Sequence, residues 1–189
     1  ILTSNHVIQG VDKIRVSLSD GRNFDAEAIG KDKLTDLAVV KIDGEDLSVI
    51  RFGDSDALEV GEWVLAVGHP FRQYNTVTQG IVSAKGRKHL YFGRTTPTYQ
   101  NFIQTSAAIN QGNSGGALVN LKGELIGVNA AIISPTRGYT GYSFAIPADI
   151  VEKVVKDLEE YGQVQRAIMG VTITDVAADL VKEKGLNRI

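Results

Sequence analysis

The sequence predicts a mostly-β protein, an antiparallel barrel or sandwich closed by one late helix. Three observations lead there. Short runs of alternating or β-branched apolar residues recur along most of the chain. Turn residues separate them at close intervals. No helical pattern lies between them, which excludes a βαβ arrangement. Ile14, Val16 and Leu18 alternate with Lys13, Arg15 and Ser17, the period of a half-buried strand. Ser19-Asp20-Gly21-Arg22 makes a turn, and Phe24, Ala26 and Ala28 alternate again, so residues 13–29 read as a hairpin. Further strands are expected at Leu37–Ile42, Trp63–Val67, Thr76–Val82, Gly116–Val119 and Leu125–Val128, the last two joined by the turn Asn120-Leu121-Lys122-Gly123. The helix follows Pro147, which suits a helix start. Ile150, Val151, Val154, Val155, Leu158 and Tyr161 form its apolar stripe, and Gly162 caps its end. Residues 85–100 read as the one long irregular stretch, a solvated or regulatory loop.

The 189 residues suffice for one substantial core. An apolar share of 43% and a charged share of 22% are those of an ordinary globular protein. With net charge −2 and a pI near 5.9, no global attraction to nucleic acid or to an anionic membrane is expected. There is no cysteine, so thiol chemistry, disulfides and Cys-based metal sites are excluded. No apolar run reaches the roughly 18 residues that would cross a bilayer as a helix. The chain opens Ile1-Leu2-Thr3, as in mid-strand, and further sequence is expected upstream.

Chemistry concentrates at Gln111-Gly112-Asn113-Ser114-Gly115-Gly116. Glycines around a serine let the backbone turn tightly, so that successive N–H groups can face a reacting carbonyl oxygen. Taken alone, the string also fits a glycine-rich hairpin. Serine needs a base to become a nucleophile. Of the three histidines, His6 ends a β-like run, His69 precedes Pro70 and His89 sits among basic residues. They have no metal-ligand spacing, and no metal or other cofactor is expected. Asp36 directly precedes the apolar run Leu37–Val40. A carboxylate entering a core is costly unless paired, and an imidazole would pair it. Taken alone, Asp36 also fits a strand-end acid. The order His6, Asp36, Ser114, spaced by 30 and 78 residues, is the chymotrypsin-type order in an all-β chain.

Several blocks, in order, resemble the HtrA (Deg) serine proteases. They are Thr3-Ser4-Asn5-His6-Val7, Thr35-Asp36-Leu37-Ala38-Val39, Phe52-Gly53-Asp54-Ser55, Gly61-Glu62-Trp63-Val64, residues 78–87, residues 105–116 and Phe144-Ala145-Ile146-Pro147. The resemblance runs nearly end to end. It implies a chymotrypsin-like double six-stranded antiparallel β-barrel over residues 1–163, with its first strands missing from the chain. Residues 164–189 would be a linker and an incomplete PDZ domain. It also implies a serine endopeptidase acting on unfolded or misfolded proteins, with His6 as general base, Asp36 orienting it and Ser114 attacking. The Gly112 and Ser114 amides would form the oxyanion hole, with the Asn113 amide in the same turn. Ile109, Tyr142, Ser143, Phe144 and Ala145 would bind substrate, selecting small or medium aliphatic residues, with the substrate backbone adding as a strand beside 142–145. Ile168, Met169, Gly170 and Val171 would grip peptide C-termini; the same stretch also reads as a plain strand.

The family further implies a homotrimer or a higher oligomer of trimers, no nucleic-acid partner, and a periplasmic or cell-envelope setting. Asn113 cannot make the ion pair that an aspartate before the nucleophile makes after zymogen cleavage. This agrees with the switching by loop rearrangement that the resemblance implies, with 70–76, 86–99 and 133–141 as the candidate loops. Ser106, His69 and Ser143 stand where the family commonly has Asp, Asn and Gly. The alternative reading is a proteolytically silent chaperone or peptide-binding scaffold.

Overall fold

A computed structural model describes residues 1–69, 76–88, 90, 99–132, 140–167, 170, 181, 184 and 185. The strands and the helix that are fully described follow in chain order: β1 (Leu2–Ser4), β2 (Ile14–Ser17), β3 (Asn23–Asp32), β4 (Leu37–Ile42), β5 (Trp63–Gly68), β6 (Thr76–Arg87), β7 (Phe102–Thr105), β8 (Ala117–Asn120), β9 (Leu125–Ile132), β10 (Ser143–Pro147) and α1 (Ala148–Tyr161). A single 3-10 turn, Asn5–Val7, follows β1. The first four strands form an antiparallel sheet in the order β1-β4-β3-β2, and the other six close a barrel in the order β10-β7-β6-β5-β8-β9. The architecture is the expected one, a half-barrel followed by a complete barrel.

The hairpin read from residues 13–29 is present, with Ile14 opposite Ala26 and Val16 opposite Phe24. β4 was legible as an apolar run, not an alternation, because both its faces are covered. Ala38 and Val40 pack with Ile8 inside the first sheet. Leu37 and Val39 point the other way, against Phe102, Phe144 and the apolar face of α1. The barrel has its own interior, built on Val64, Val82, Ile103, Ile109, Leu118 and Ile126. Phe102 and Phe144 meet edge-on in the layer beneath α1, their centroids 6.2 Å apart.

The helix begins after Pro147 and ends at Gly162 in the left-handed conformation, whose N–H returns to the Leu158 carbonyl at 3.1 Å. Val151, Val154 and Leu158 are buried, but Tyr161 is 54% exposed, so the apolar stripe stops one turn earlier than expected. Its N-terminus is held from outside. The Ser55 hydroxyl donates to the Asp149 carboxylate and accepts the Asp149 N–H, satisfying a donor that has no partner within the helix. Leu158 lies so close to Gly30 of β3 that a β-carbon there would stand 2.9 Å from its Cδ2. The segment after α1 returns to the first sheet: the Arg166 guanidinium donates to both Asp32 oxygens, at 3.0 and 2.6 Å.

Two expectations need correction. The irregular stretch begins later than residue 85, because β6 continues to Arg87. Strand β7 was not expected at all. Its Gln104 and Thr105 are polar yet buried, Gln104 accepting from Arg87 Nε at 2.9 Å.

Replacing Leu158 by Ala should lower stability by about 2–5 kcal/mol, because Gly30 lacks a side chain with which to fill the space. Urea unfolding would measure it, and an effect under about 1 kcal/mol would show that the helix–sheet contact is slack. A second expectation concerns pH. Burial pushes the Asp32 carboxyl up, but hydrogen bonds from Arg166 and Thr35 pull it further down, leaving it below the ordinary carboxylate range. The folded state therefore favours the ionised form. The stability gap between wild type and Asp32→Asn should be fully present above the unfolded carboxyl value of about 3.9. It should shrink as pH falls through the lower folded value. A gap that stays constant down to strongly acid pH would contradict this.

Candidate active site

Asp36 lies just before β4 in the left-handed region, at φ 63, a conformation that aspartate tolerates better than most residues. This turn brings both its backbone and its carboxylate onto the turn after β1. The Asp36 carbonyl accepts the Asn5 N–H at 2.9 Å. Oδ1 accepts the His6 N–H at 2.9 Å, and Oδ2 lies 2.5 Å from His6 Nδ1. An ionised carboxylate only accepts hydrogen bonds, so Nδ1 carries the proton and Nε2 keeps the free lone pair. The Asp36 side chain is 9% exposed and the His6 ring 31%, so the carboxylate lies inside and the ring reaches the surface.

Ser114 comes from the other half of the molecule, on the loop entering β8. Residues Asn110–Asn113 form a β-turn closed by the Asn113 N–H and the Asn110 carbonyl at 3.0 Å. Gly112 occupies its third position at φ 105, the signature of a type II turn and accessible chiefly to glycine. The Asn113 N–H is thus used inside the turn. Among the described residues, the Gly112 and Ser114 N–H groups have no hydrogen-bond acceptor. Gly112 and Ser114 both line a cleft of about 560 Å³ that also touches Thr3, Val7, Gly68 and His69.

The two halves meet at Gly115. It sits at φ 84, and a β-carbon on it would lie 2.7 Å from the Ser4 nitrogen and 3.1 Å from Thr3 Cα. The Ser114 loop thus rests directly on β1, two residues from His6. The Ser114 hydroxyl itself donates to the Ala130 carbonyl at 3.3 Å. Among the described residues, it has no hydrogen bond to His6.

The expected substrate-binding residues separate into groups. Ile109 and Ala145 share the barrel interior, and the Ile109 N–H donates to the buried Ser143 hydroxyl at 3.3 Å. Phe144 faces the opposite way, into the layer beneath α1, as the strand period requires. Tyr142 is 54% exposed. For the strand addition expected beside 142–145, Ser143, Phe144 and Ala145 offer no open edge. β10 pairs with β7 on one edge and β9 on the other, leaving no free edge for a substrate backbone. Ile168, Met169 and Val171 lie outside the described residues, as do 70–75, 89, 91–98 and 133–139 of the expected switching loops. Sequence reading missed Asn129, a fully buried polar residue in the apolar run 125–132; its place in such a run was the available signal. It also missed Ala130, whose part is played by its carbonyl and leaves no trace in its side chain.

Replacing Gly115 by Ala would force a left-handed alanine against β1. We expect a loss of stability above about 1 kcal/mol, read by thermal unfolding. A variant as stable as wild type would show that the two halves do not close this tightly.

The trypsin-like peptidase domain family matches residues 1–128. A probable periplasmic serine protease of the do/HhoA-like type from Haemophilus influenzae is 51% identical over 183 residues, 96% of this chain and 39% of that protein. The periplasmic serine endoprotease DegP of Escherichia coli is 49% identical over 183 residues, again 96% of this chain and 38% of its own length. The chain thus spans well under half of these relatives. Among solved structures, the HtrA-type protease AlgW with a decapeptide superposes with a TM-score of 0.85 at 46% identity, covering 100% of this chain and 57% of that one. Fold, catalytic order and sequence agree: this chain belongs to the trypsin-like peptidases, in the HtrA (Deg) branch.

Proposed function

We propose that this chain is the proteolytic core of an HtrA-type serine endopeptidase that cleaves unfolded or misfolded proteins. The observation that carries the reading is the Asp36–His6 pair at 2.5 Å, set beside a serine on a turn with two unoccupied N–H groups. In this mechanism Ser114 swings about χ1 from the Ala130 carbonyl to His6 Nε2. His6 takes the hydroxyl proton as Oγ attacks the scissile carbonyl, and Asp36 stabilises the imidazolium. The Gly112 and Ser114 N–H groups receive the developing oxyanion. His6 then returns the proton to the leaving amine, and water hydrolyses the acyl-enzyme by the same route.

Ile109, Ser143 and Ala145 support a small, mainly apolar specificity pocket without an acid, hence cleavage after small or medium aliphatic residues. The resting Ser114–Ala130 bond fits an enzyme switched on by rearrangement of loops 70–76, 86–99 and 133–141. The relatives' names support a periplasmic setting. PDZ-type recognition of peptide C-termini by residues 168–171, and assembly as a trimer or an oligomer of trimers, complete the proposal.

The test is hydrolysis of casein by the intact protein and by its Ser114→Ala variant, with and without a C-terminal activating peptide. The variant should lose several orders of magnitude in rate. Equal rates in all conditions would sink the endopeptidase reading and leave a peptide-binding scaffold.

A further inference from the structure

The barrel has a seam where β5 and β8 part. Their pairing runs from Val64 opposite Asn120 to Ala66 opposite Leu118. Beyond Ala66 and Leu118, one strand runs on into Val67 and Gly68 and the other comes from the nucleophile loop through Gly116 and Ala117. Gly116 passes so close to the Val67 carbonyl that a β-carbon on it would collide with that oxygen. Here the ladder ends, and two partly buried carbonyls, Val67 and Ala117, need donors.

Asn129 of β9 supplies them. Its side-chain nitrogen donates to the Val67 carbonyl at 3.0 Å and to the Ala117 carbonyl at 3.1 Å. One amide group therefore joins β5 to β8 just past their last paired residues. Its backbone holds the same segment from the other side: the Asn129 N–H donates to the Gly116 carbonyl at 2.8 Å, and its carbonyl accepts the Gly115 N–H at 2.8 Å. The next residue, Ala130, accepts from the Ser114 hydroxyl. Every residue from 114 to 117 is thus bonded to Asn129 or its neighbour.

The chemistry of the contact selects this side chain. Both acceptors are carbonyls, so the group between them must donate twice and carry no negative charge. Aspartate would set a carboxylate against two carbonyl oxygens. Leucine would leave both without their donor. Serine has one donor and a shorter reach. Asn129 is fully buried, and its Oδ1 has no hydrogen-bond partner. The fold thus tolerates an unsatisfied buried acceptor there, at a cost, in order to keep the two donors.

We propose that Asn129 is a positioning residue. Its amide clamps the barrel seam and thereby fixes Gly115–Ala117, so that Ser114 and the turn bearing the Gly112 N–H keep their reactive geometry. This inference rests on the reading of Ser114 as the nucleophile.

The experiment measures the second-order rate of labelling by a fluorophosphonate probe, with kcat and KM on a peptide substrate, for the intact protein. The variants are Asn129→Asp, Asn129→Leu and Asn129→Ser, with Leu158→Ala as a control that is destabilised far from the nucleophile. All are assayed well below their melting temperatures. Displacing the nucleophile by about an ångström costs on the order of a hundredfold in rate. We expect Asn129→Asp and Asn129→Leu to lose about ten- to a hundredfold in labelling and in kcat, with KM little changed. Leu158→Ala should label at the wild-type rate. Asn129→Ser should fall between, and it carries the test if the other two do not fold. Wild-type labelling by folded Asn129 variants, or an equal loss in Leu158→Ala, would overturn the clamp while leaving the nucleophile intact. Absence of Ser114-dependent labelling in the wild type would instead overturn the nucleophile reading, and the clamp with it.

Discussion

The site depends on one close approach, that of the loop around Gly115 to the backbone of Thr3 and Ser4. His6 and Asp36 belong to the first sheet, Ser114 to the second barrel. Nothing local in either half specifies the distance between them. What sets it is that two backbones touch where no side chain intervenes. Glycine makes that approach possible in two ways, through its left-handed φ and through the absence of a β-carbon. The rest of the arrangement is support. Asp36 anchors the His6 turn through three hydrogen bonds, and β9 fastens the Ser114 loop from behind. Each half is held rigidly, so a single contact fixes the geometry between them.

Much of this was legible in the sequence, for reasons that differ by element. The β2–β3 hairpin showed its period because one face is wet. β4 showed an unbroken apolar run because Leu37 and Val39 serve one core and Ala38 and Val40 another. The three residues of the proposed triad announced themselves through their settings: glycines around Ser114, an acid at the mouth of an apolar strand, and a histidine closing another. These signals are local, so a linear reading can find them.

What escaped was non-local. β7 is four residues long, and half of it is polar, because Gln104 finds its partner on β6; no window of sequence carries that pairing. That the edge expected for a substrate strand beside 142–145 is taken at 143–145 was equally hidden, because the free edges of a sheet depend on how the barrel closes. The closure places β10 between β7 and β9. Asn129 showed only as a polar residue in an apolar run, and its role was hidden for a similar reason. Its partners are carbonyls on two other strands, and carbonyls are the same in every residue type.

Helix α1 has a further consequence, for the order in which the chain folds. It follows all the strands named above, yet it packs on β3 and β4 of the first sheet as well as on β9 and β10 of the barrel. Until residues 148–161 have left the ribosome, Leu37 and Val39 lack their cover and the two halves have no common strut. Domains consolidate as their segments emerge, so here the halves cannot be locked together before synthesis of this region is nearly complete. The cleft that both halves line is therefore completed only after this helix has emerged.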